Sequence, residues 1–394
     1  MKVLDGIKVL DLGRYIAGPY CAALLGDYGA DVLRVDRPNG DDDRSILPIS
    51  EQGEGAQFLQ VNRNKRSIAL NINSVEGKKI LYKLVQRSDI VIANMPAKAL
   101  KKLGIDYESL IKVKDDIILT ASSAFGIDPM VQDRVAFDGV GQAVSGAVYL
   151  AGFPEQPIKA MVPMVDYSTA ISCALGTMMA LYERKSSGTG QEVGASLLQT
   201  GLTLSSASLI EEAALKINRQ ATGNRAAQYA PSDIFKVKDG WIITQVIGSD
   251  MFTRWADLIG RPELVHDQRF INDLKRGENG EILCSLMSEW CKAFTRSEAL
   301  DKLEKARIPA GPVNSPRDVL NDPFIRVTKP FEWIKHPGVN NKIPIVKAPV
   351  FLSRTPASID LRPPQHGEHT DKVMQELGYM QADINYLKAI GVLG

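Results

Sequence analysis

Histidine is nearly missing from this chain: four occur in 394 residues, and the first is His266. A Ser-His-Asp or Cys-His arrangement is therefore excluded from the first two thirds, and no motif supports one assembled from distant segments. Cysteine is equally sparse. Cys21, Cys173, Cys284 and Cys291 include no CxxC pair and no histidine at ligand spacing, so neither a zinc site nor a disulfide framework is expected and the thiols read as core residues. An excess of charge of one sign is also lacking. The 47 basic and 46 acidic side chains leave a net +1 with no dense basic stretch, which argues against nucleic-acid and membrane-surface partners. No apolar run approaches the roughly 20 residues of a membrane span, and Asp5 interrupts the N-terminal apolar stretch, so the chain reads as cytoplasmic. Gly13 and Gly18 miss the G-x-G-x-x-G spacing, as do Gly139 and Gly141, and no G-K-[ST] follows; dinucleotide and P-loop readings are weak.

What is present is an ordinary globular composition, 44% hydrophobic and 24% charged, in a chain long enough for two or three cores. Strand and helix patterns alternate through the first 125 residues: strands at Ile7–Leu12, Asp31–Asp36, Ile68–Ile72, Asp89–Ala93 and Ile117–Ser122, helices at Pro19–Asp27 and Val75–Arg87. The strands are short, continuous and rich in Val, Ile and Leu, as when helices cover both faces of a parallel sheet. An open α/β, Rossmann-like sheet follows. An apolar helix after Asp166, a strand near Gln191–Ala195 and a helix over Leu197–Leu215 extend it. The texture then changes to a hairpin, Ile234–Lys236 with Trp241–Gln245, followed by charge-rich helices. The expected organisation is a large α/β domain over residues 1–200, a linker at 201–224, a smaller α+β domain at 225–325, and a C-terminal segment, 326–394, that returns to the large domain.

Asp166 stands alone as an acid at the head of a helix whose run from Ser168 to Tyr182 is apolar nearly all round, which predicts a buried core helix. Two readings fit it. Asp is a preferred helix N-cap, and it is also a nucleophile if N–H donors and the helix dipole keep it ionised in a dry site. The turn Asp11–Tyr20, with Pro19 at the first helical position after Gly18, lies at the carboxyl end of a parallel strand, where such sheets bind ligands. Arg37, Arg44, Lys65, Arg66 and Lys102 recur at loop positions, a placement suited to a ligand with several phosphates, although any one of them also reads as surface charge.

These residues reach a family. Ala17-Gly18-Pro19, Gly29 to Val35, Asn64 to Ser67, Phe137 to Ala143 with Ser145 and Gly146, Asp166 with its helix, Gly188 to Gln191, Gly223 to Arg225, Ala230-Pro231, Asp239 to Trp241 and Ile308 to Val313 occur in an order and spacing that resembles the class III CoA-transferases. That family includes formyl-CoA and carnitine CoA-transferases and is related to α-methylacyl-CoA racemase. The resemblance implies that Asp166 is the nucleophile, forming an aspartyl-acyl anhydride and then an aspartyl-CoA thioester, with Asp138 as an acidic neighbour that orients the site or starts a helix. It implies CoA contacts at Ile16, Ala17, Arg37, Lys65, Asn94 and Lys102, no metal or redox cofactor, coenzyme A entering as the acyl-CoA substrate, and an interlocked homodimer with sites between large and small domains.

Departures from the family pattern narrow the substrate. Ile16 replaces the glutamine of formyl-CoA transferases, and residues 225–228 replace their glycine run, so formyl and oxalyl transfer are not expected. Arg225 and Gln228 are candidate contacts to the acyl or acid substrate, Arg offering a bidentate partner to a distal carboxylate. The residues 95–98 also differ from the usual sequence beside Asn94. A racemase needs an acid and a base on opposite faces of the α-carbon; its His-Asp pair is Phe137-Asp138 here, which removes the proton carrier. A non-catalytic CoA-binding subunit is the remaining alternative, and the retained Asp166 argues against it.

Overall fold

The computed structural model describes residues 2–394 and divides into two compact units. The first comprises Met1–Ser145, Ala160–Ala207 and Lys329–Gly394. Its centre is a six-stranded sheet of β1 (Lys8–Asp11), β2 (Asp31–Asp36), β3 (Lys65–Ala69), β4 (Ile90–Ala93), β5 (Ile118–Ser123) and β6 (Glu192–Ser196), in the order β3-β2-β1-β4-β5-β6. Every pairing is parallel. The expected α/β sheet is therefore observed, and its strands are buried because helices cover both faces. On one face α1 (Ala17–Asp27) packs with Val9, Val32, Ile90 and Ile118. On the other, α2 (Val75–Gln86) joins Leu10, Leu33, Val91 and Leu119, together with the C-terminal helices Thr370–Glu376 and Gln381–Ala389.

Strand β3 departs from expectation. Its apolar letters suggest Ile68–Ile72, whereas pairing begins at Lys65 opposite Val32. Two charged residues enter the strand because each meets a carboxylate: Lys65 Nζ lies 2.7 Å from Asp11, and Arg66 Nη2 lies 2.8 Å from Asp31. The helix expected at Leu197–Leu215 likewise breaks at Ser205, giving Leu197–Leu204 and Ser206–Leu215.

After α3 (Asp138–Val144) comes α4 (Met164–Ser187), a helix of 24 residues. Its length and an 18-residue window of mean hydropathy 1.2 match a membrane span by composition, contrary to the expectation from apolar runs. Here it packs through Thr169, Ala170, Cys173, Thr177, Ala180 and Leu181 against α1 and the sheet. It is not buried all round. Ile171, Leu175, Met179 and Tyr182 form an exposed apolar stripe, Tyr182 being 77% exposed, because sheet and α1 cover only one face.

The second unit comprises Gly146–Lys159 and Ser208–Thr328. It holds an antiparallel sheet of β7 (Ser232–Val237), β8 (Gly240–Gln245) and β9 (Ala310–Pro312), with β8 central. Phe235, Ile242, Phe252, Trp255, Phe270 and Met287 fill its core, and the hairpin expected from Ile234–Lys236 with Trp241–Gln245 does form.

Candidate active site

The strand order reverses direction between β1 and β4. Loops leaving the carboxyl ends of these two strands diverge, and that crevice is where open α/β sheets take ligands. A cavity of about 390 Å³ opens there. Ile16 and Ala17 line it after β1, Asn94 and Met95 after β4, Ser122 and Ser123 at the end of β5, and Asp166 at the start of α4.

The β1 loop is held by side chains that bond its backbone. Gly13 N–H donates to Asp11 Oδ1 at 2.8 Å, and Arg14 N–H to Asn94 Oδ1 at 2.7 Å; Asn94 Nδ2 returns a bond to Arg14 O at 2.6 Å. Tyr15 has a left-handed φ of 63°, a conformation disfavoured for a bulky residue, and its N–H donates to Asp43 Oδ2 at 2.9 Å. Asp43 is fixed in turn by the buried Arg34 guanidinium, at 2.9 Å. Close packing finishes the turn, since a Cβ on Gly18 would lie 3.1 Å from the Gly13 Cα and 3.3 Å from Asn94. The N-terminus of α1 then begins beside the cavity with no side-chain cap at Ile16.

Asp166 is not the cap of its helix. Helix α4 starts at Met164, so Asp166 is its third residue, and the cap comes from elsewhere. Asp138, the first residue of α3, accepts from Val165 N–H at 2.8 Å and Asp166 N–H at 3.1 Å. Gln142, one turn along α3, donates to the other Asp138 oxygen and accepts from Ala160 N–H at 2.9 Å. With these donors taken, the half-buried Asp166 carboxyl has no hydrogen-bond partner among the described residues. Burial, and secondarily the negative charge of Asp138, push it up to about 7. This corrects the expectation that helix N–H groups hold Asp166 strongly ionised: its neighbour collects them instead.

Candidate CoA residues are placed unequally. Arg37, at the end of β2, has a side chain 67% exposed and lies 3.3 Å from Asp41. Lys102 is exposed on the helix Ala97–Leu103. Asn94 lines the cavity, but its amide is committed to Arg14. Lys65 is buried inside β3, where Nζ donates to Asp11, Pro19 O and Asn62 within 2.8 Å, and it does not line the cavity. Its ammonium has no donor free for a phosphate, which corrects the implied contact. Arg44 is also buried, bonded to Asp36 and Glu54 rather than facing solvent. Arg225 and Gln228 belong to the second unit. There Gln228 is exposed and Arg225 half-buried, packed against Gly280. Three contributors escaped the sequence reading: Asp43, which carries Tyr15; Gln142, which braces Asp138; and Arg134, a cavity-lining loop cation. Arg134 carried the same signal as the other loop cations, a basic residue between elements. Among the described residues, no group of three His, Cys, Asp or Glu side chains is placed to hold a metal ion.

An uncapped helix start, a carboxyl raised to about 7 by burial and a largely apolar cavity thus meet at the sheet's switch point. The family profile described as CoA-transferase family III matches residues 4–370, and the chain belongs to that family. It is 30% identical to the succinyl-CoA–L-malate CoA-transferase beta subunit of Chloroflexus aurantiacus, over 99% of this chain and 98% of that protein. Identity is 31% to the succinyl-CoA:mesaconate CoA-transferase of Haloarcula marismortui, over 96% of this chain and 97% of that one. A CaiB/BaiF family protein from Brucella suis superposes with a TM-score of 0.83 at 31% identity, covering 95% of this chain and 99% of that structure.

Proposed function

We propose that this chain moves CoA from an acyl-CoA to a free carboxylic acid through covalent intermediates on Asp166, and that formyl and oxalyl groups are not its substrates. The observation that carries this reading is the unpartnered Asp166 carboxyl in the cavity at the switch point. Ionised Asp166 attacks the thioester carbonyl; the C–S bond breaks, CoA thiolate leaves with the electron pair, and an anhydride remains. The thiolate attacks the Asp166 carbonyl carbon, expelling the donor acid as its carboxylate and leaving an aspartyl-CoA thioester. An acceptor carboxylate repeats the two steps in reverse and departs as the new acyl-CoA. No net proton is transferred, which accords with a site built without histidine. Water must be kept from the anhydride, a task suited to the apolar lining by Ile16, Met95 and Val140. The uncapped first turn of α1 at Ile16 and Ala17 offers N–H groups to the developing oxyanions.

Asp138 serves as a positioning residue, aiming α4 and raising Asp166. Arg37 and Lys102 supply exposed cations for CoA phosphates, while Asn94 keeps the turn that receives the thioester in shape. Arg225 and Gln228 are substrate contacts on the strength of the resemblance alone. The relatives named above act on succinyl-CoA, and a short dicarboxyl thioester is the donor proposed here. The exposed stripe Ile171, Leu175, Met179 and Tyr182 supports a homodimer; a cytoplasmic location is proposed on the sequence alone.

Incubation with acyl-CoA followed by hydroxylamine tests the chemistry. Hydroxamate at Asp166, with ping-pong exchange between acyl-CoA and acid, is expected. Solvent deuterium entering the α-carbon without acid exchange would make the protein a racemase instead.

A further inference from the structure

The cavity around Asp166 contains two arginines with opposite circumstances. Arg14 is spent internally: Nη1 donates to Leu12 O and Gly13 O, Nη2 to Val35 O at 3.0 Å, and Nε pairs with Asp41 at 2.8 Å. Arg134 lines the same cavity and is exposed, and its guanidinium has no ion pair or hydrogen bond among the described residues. It stacks over Phe125, 5.1 Å from the ring centroid, which restrains the orientation of its donor fork. The preceding residue is anchored, Asp133 accepting from Lys98 N–H at 2.8 Å, so the loop that carries Arg134 is fixed at its base.

We propose that Arg134 reads the second carboxylate of a short dicarboxyl substrate while Asp166 meets its thioester carbonyl; the inference rests on the CoA-transfer reading and assigns its substrate selectivity. Asp166 already places a carboxyl in this cavity, with Asp138 next to it at the helix start, and a dicarboxyl thioester brings a further carboxylate beside Met95, Val135 and Phe137. A further negative charge beside Asp166 is repelled unless a cation of its own offsets it. Arg14 is committed, and Arg134 is the cation in the cavity that has its fork open for bidentate contact. Monocarboxyl thioesters of equal length gain nothing from it.

The test compares succinyl-CoA with butyryl-CoA, which differ in a terminal carboxylate against a methyl group. Full-length protein, Arg134→Gln, Arg134→Lys and Arg225→Ala are each measured for equilibrium binding of both thioesters and for transfer to one acceptor acid. Arg134→Gln is expected to lower the succinyl-to-butyryl ratio of affinities and of kcat/KM on the order of 10- to 100-fold, the range for a lost charge-assisted bond. Arg134→Lys should recover part of the ratio, with unchanged thermal melting for both variants. Equal weakening of the two thioesters would place Arg134 on the CoA moiety they share and overturn the assignment. A ratio moved only by Arg225→Ala, or no preference for succinyl-CoA in the parent, would overturn it too. If the parent binds both thioesters and transfers neither, the transferase reading fails, while the binding ratio still judges Arg134.

Discussion

Replacing Asp166 by asparagine preserves the side chain's shape and removes its titration. The carboxyl is pushed up from 3.8 to about 7 by burial and by Asp138. From about pH 4 to about pH 7 the folded state therefore holds a proton that the unfolded chain has released. Stability falls as pH rises through that window, and the asparagine variant escapes the fall. A shift of about three units at about 1.4 kcal/mol each sets a ceiling of about 4 kcal/mol. Partial exposure of Asp166 reduces this by screening, so a gain of about 2 kcal/mol is expected for Asp166→Asn near pH 8. The gain should shrink as pH falls from about 7 towards about 4 and vanish below the unfolded value of 3.8, where both states of the parent are protonated. Urea unfolding of parent and variant at several pH values measures it. A stability difference that does not change with pH would refute the account of Asp166, as would a destabilised variant near pH 8. The same substitution should abolish transfer while thioester binding persists, because an amide cannot be the nucleophile. In the parent, kcat/KM should rise with pH and level off above about 7, as the attacking form in the proposed mechanism is the carboxylate.

Asp138→Asn retains an oxygen for the Val165 and Asp166 N–H groups but removes the neighbouring charge, so the pH–rate midpoint should move to lower pH. A midpoint that stays in place would show that the charge of Asp138 has no influence on Asp166. Lys65→Met leaves Asp11 buried and unpaired and should cost about 3 to 5 kcal/mol in unfolding; a raised KM for acyl-CoA with unchanged melting would instead restore the direct phosphate contact. Glutamates at both Leu175 and Met179, at the centre of the exposed α4 stripe, should convert the proposed dimer to monomer in sedimentation, and an unchanged sedimentation coefficient would refute a dimer built on that stripe.

The sheet was legible because its strands announce themselves locally. Asp31–Asp36 is a continuous run that packs on both faces, and its bounds match those read from the letters. Apolar content alone misplaces β3, since the charges of Lys65 and Arg66 disguise a strand start that only Asp11 and Asp31, brought alongside by the fold, make tolerable. The exposed side of α4 was illegible for a related reason: composition reports that a helix is apolar, and neighbouring elements decide which face they cover.

Asp166 divides along the same line. Its isolation before an apolar helix, the scarcity of histidine and the ordered family motifs are properties of the chain, and they suffice to single it out. Its state is a tertiary matter. Asp138 lies 28 residues away, and only the packing of α3 beside α4 brings it to the helix start, where it accepts the Val165 and Asp166 N–H groups. Arg134 is distinguished from Arg14 in the same way, by which neighbours consume its donors. Sequence determined which residue types and which fold were available; hydrogen bonds, charges and burial between distant segments decided their protonation and freedom, because those energies depend on distances that letters do not carry.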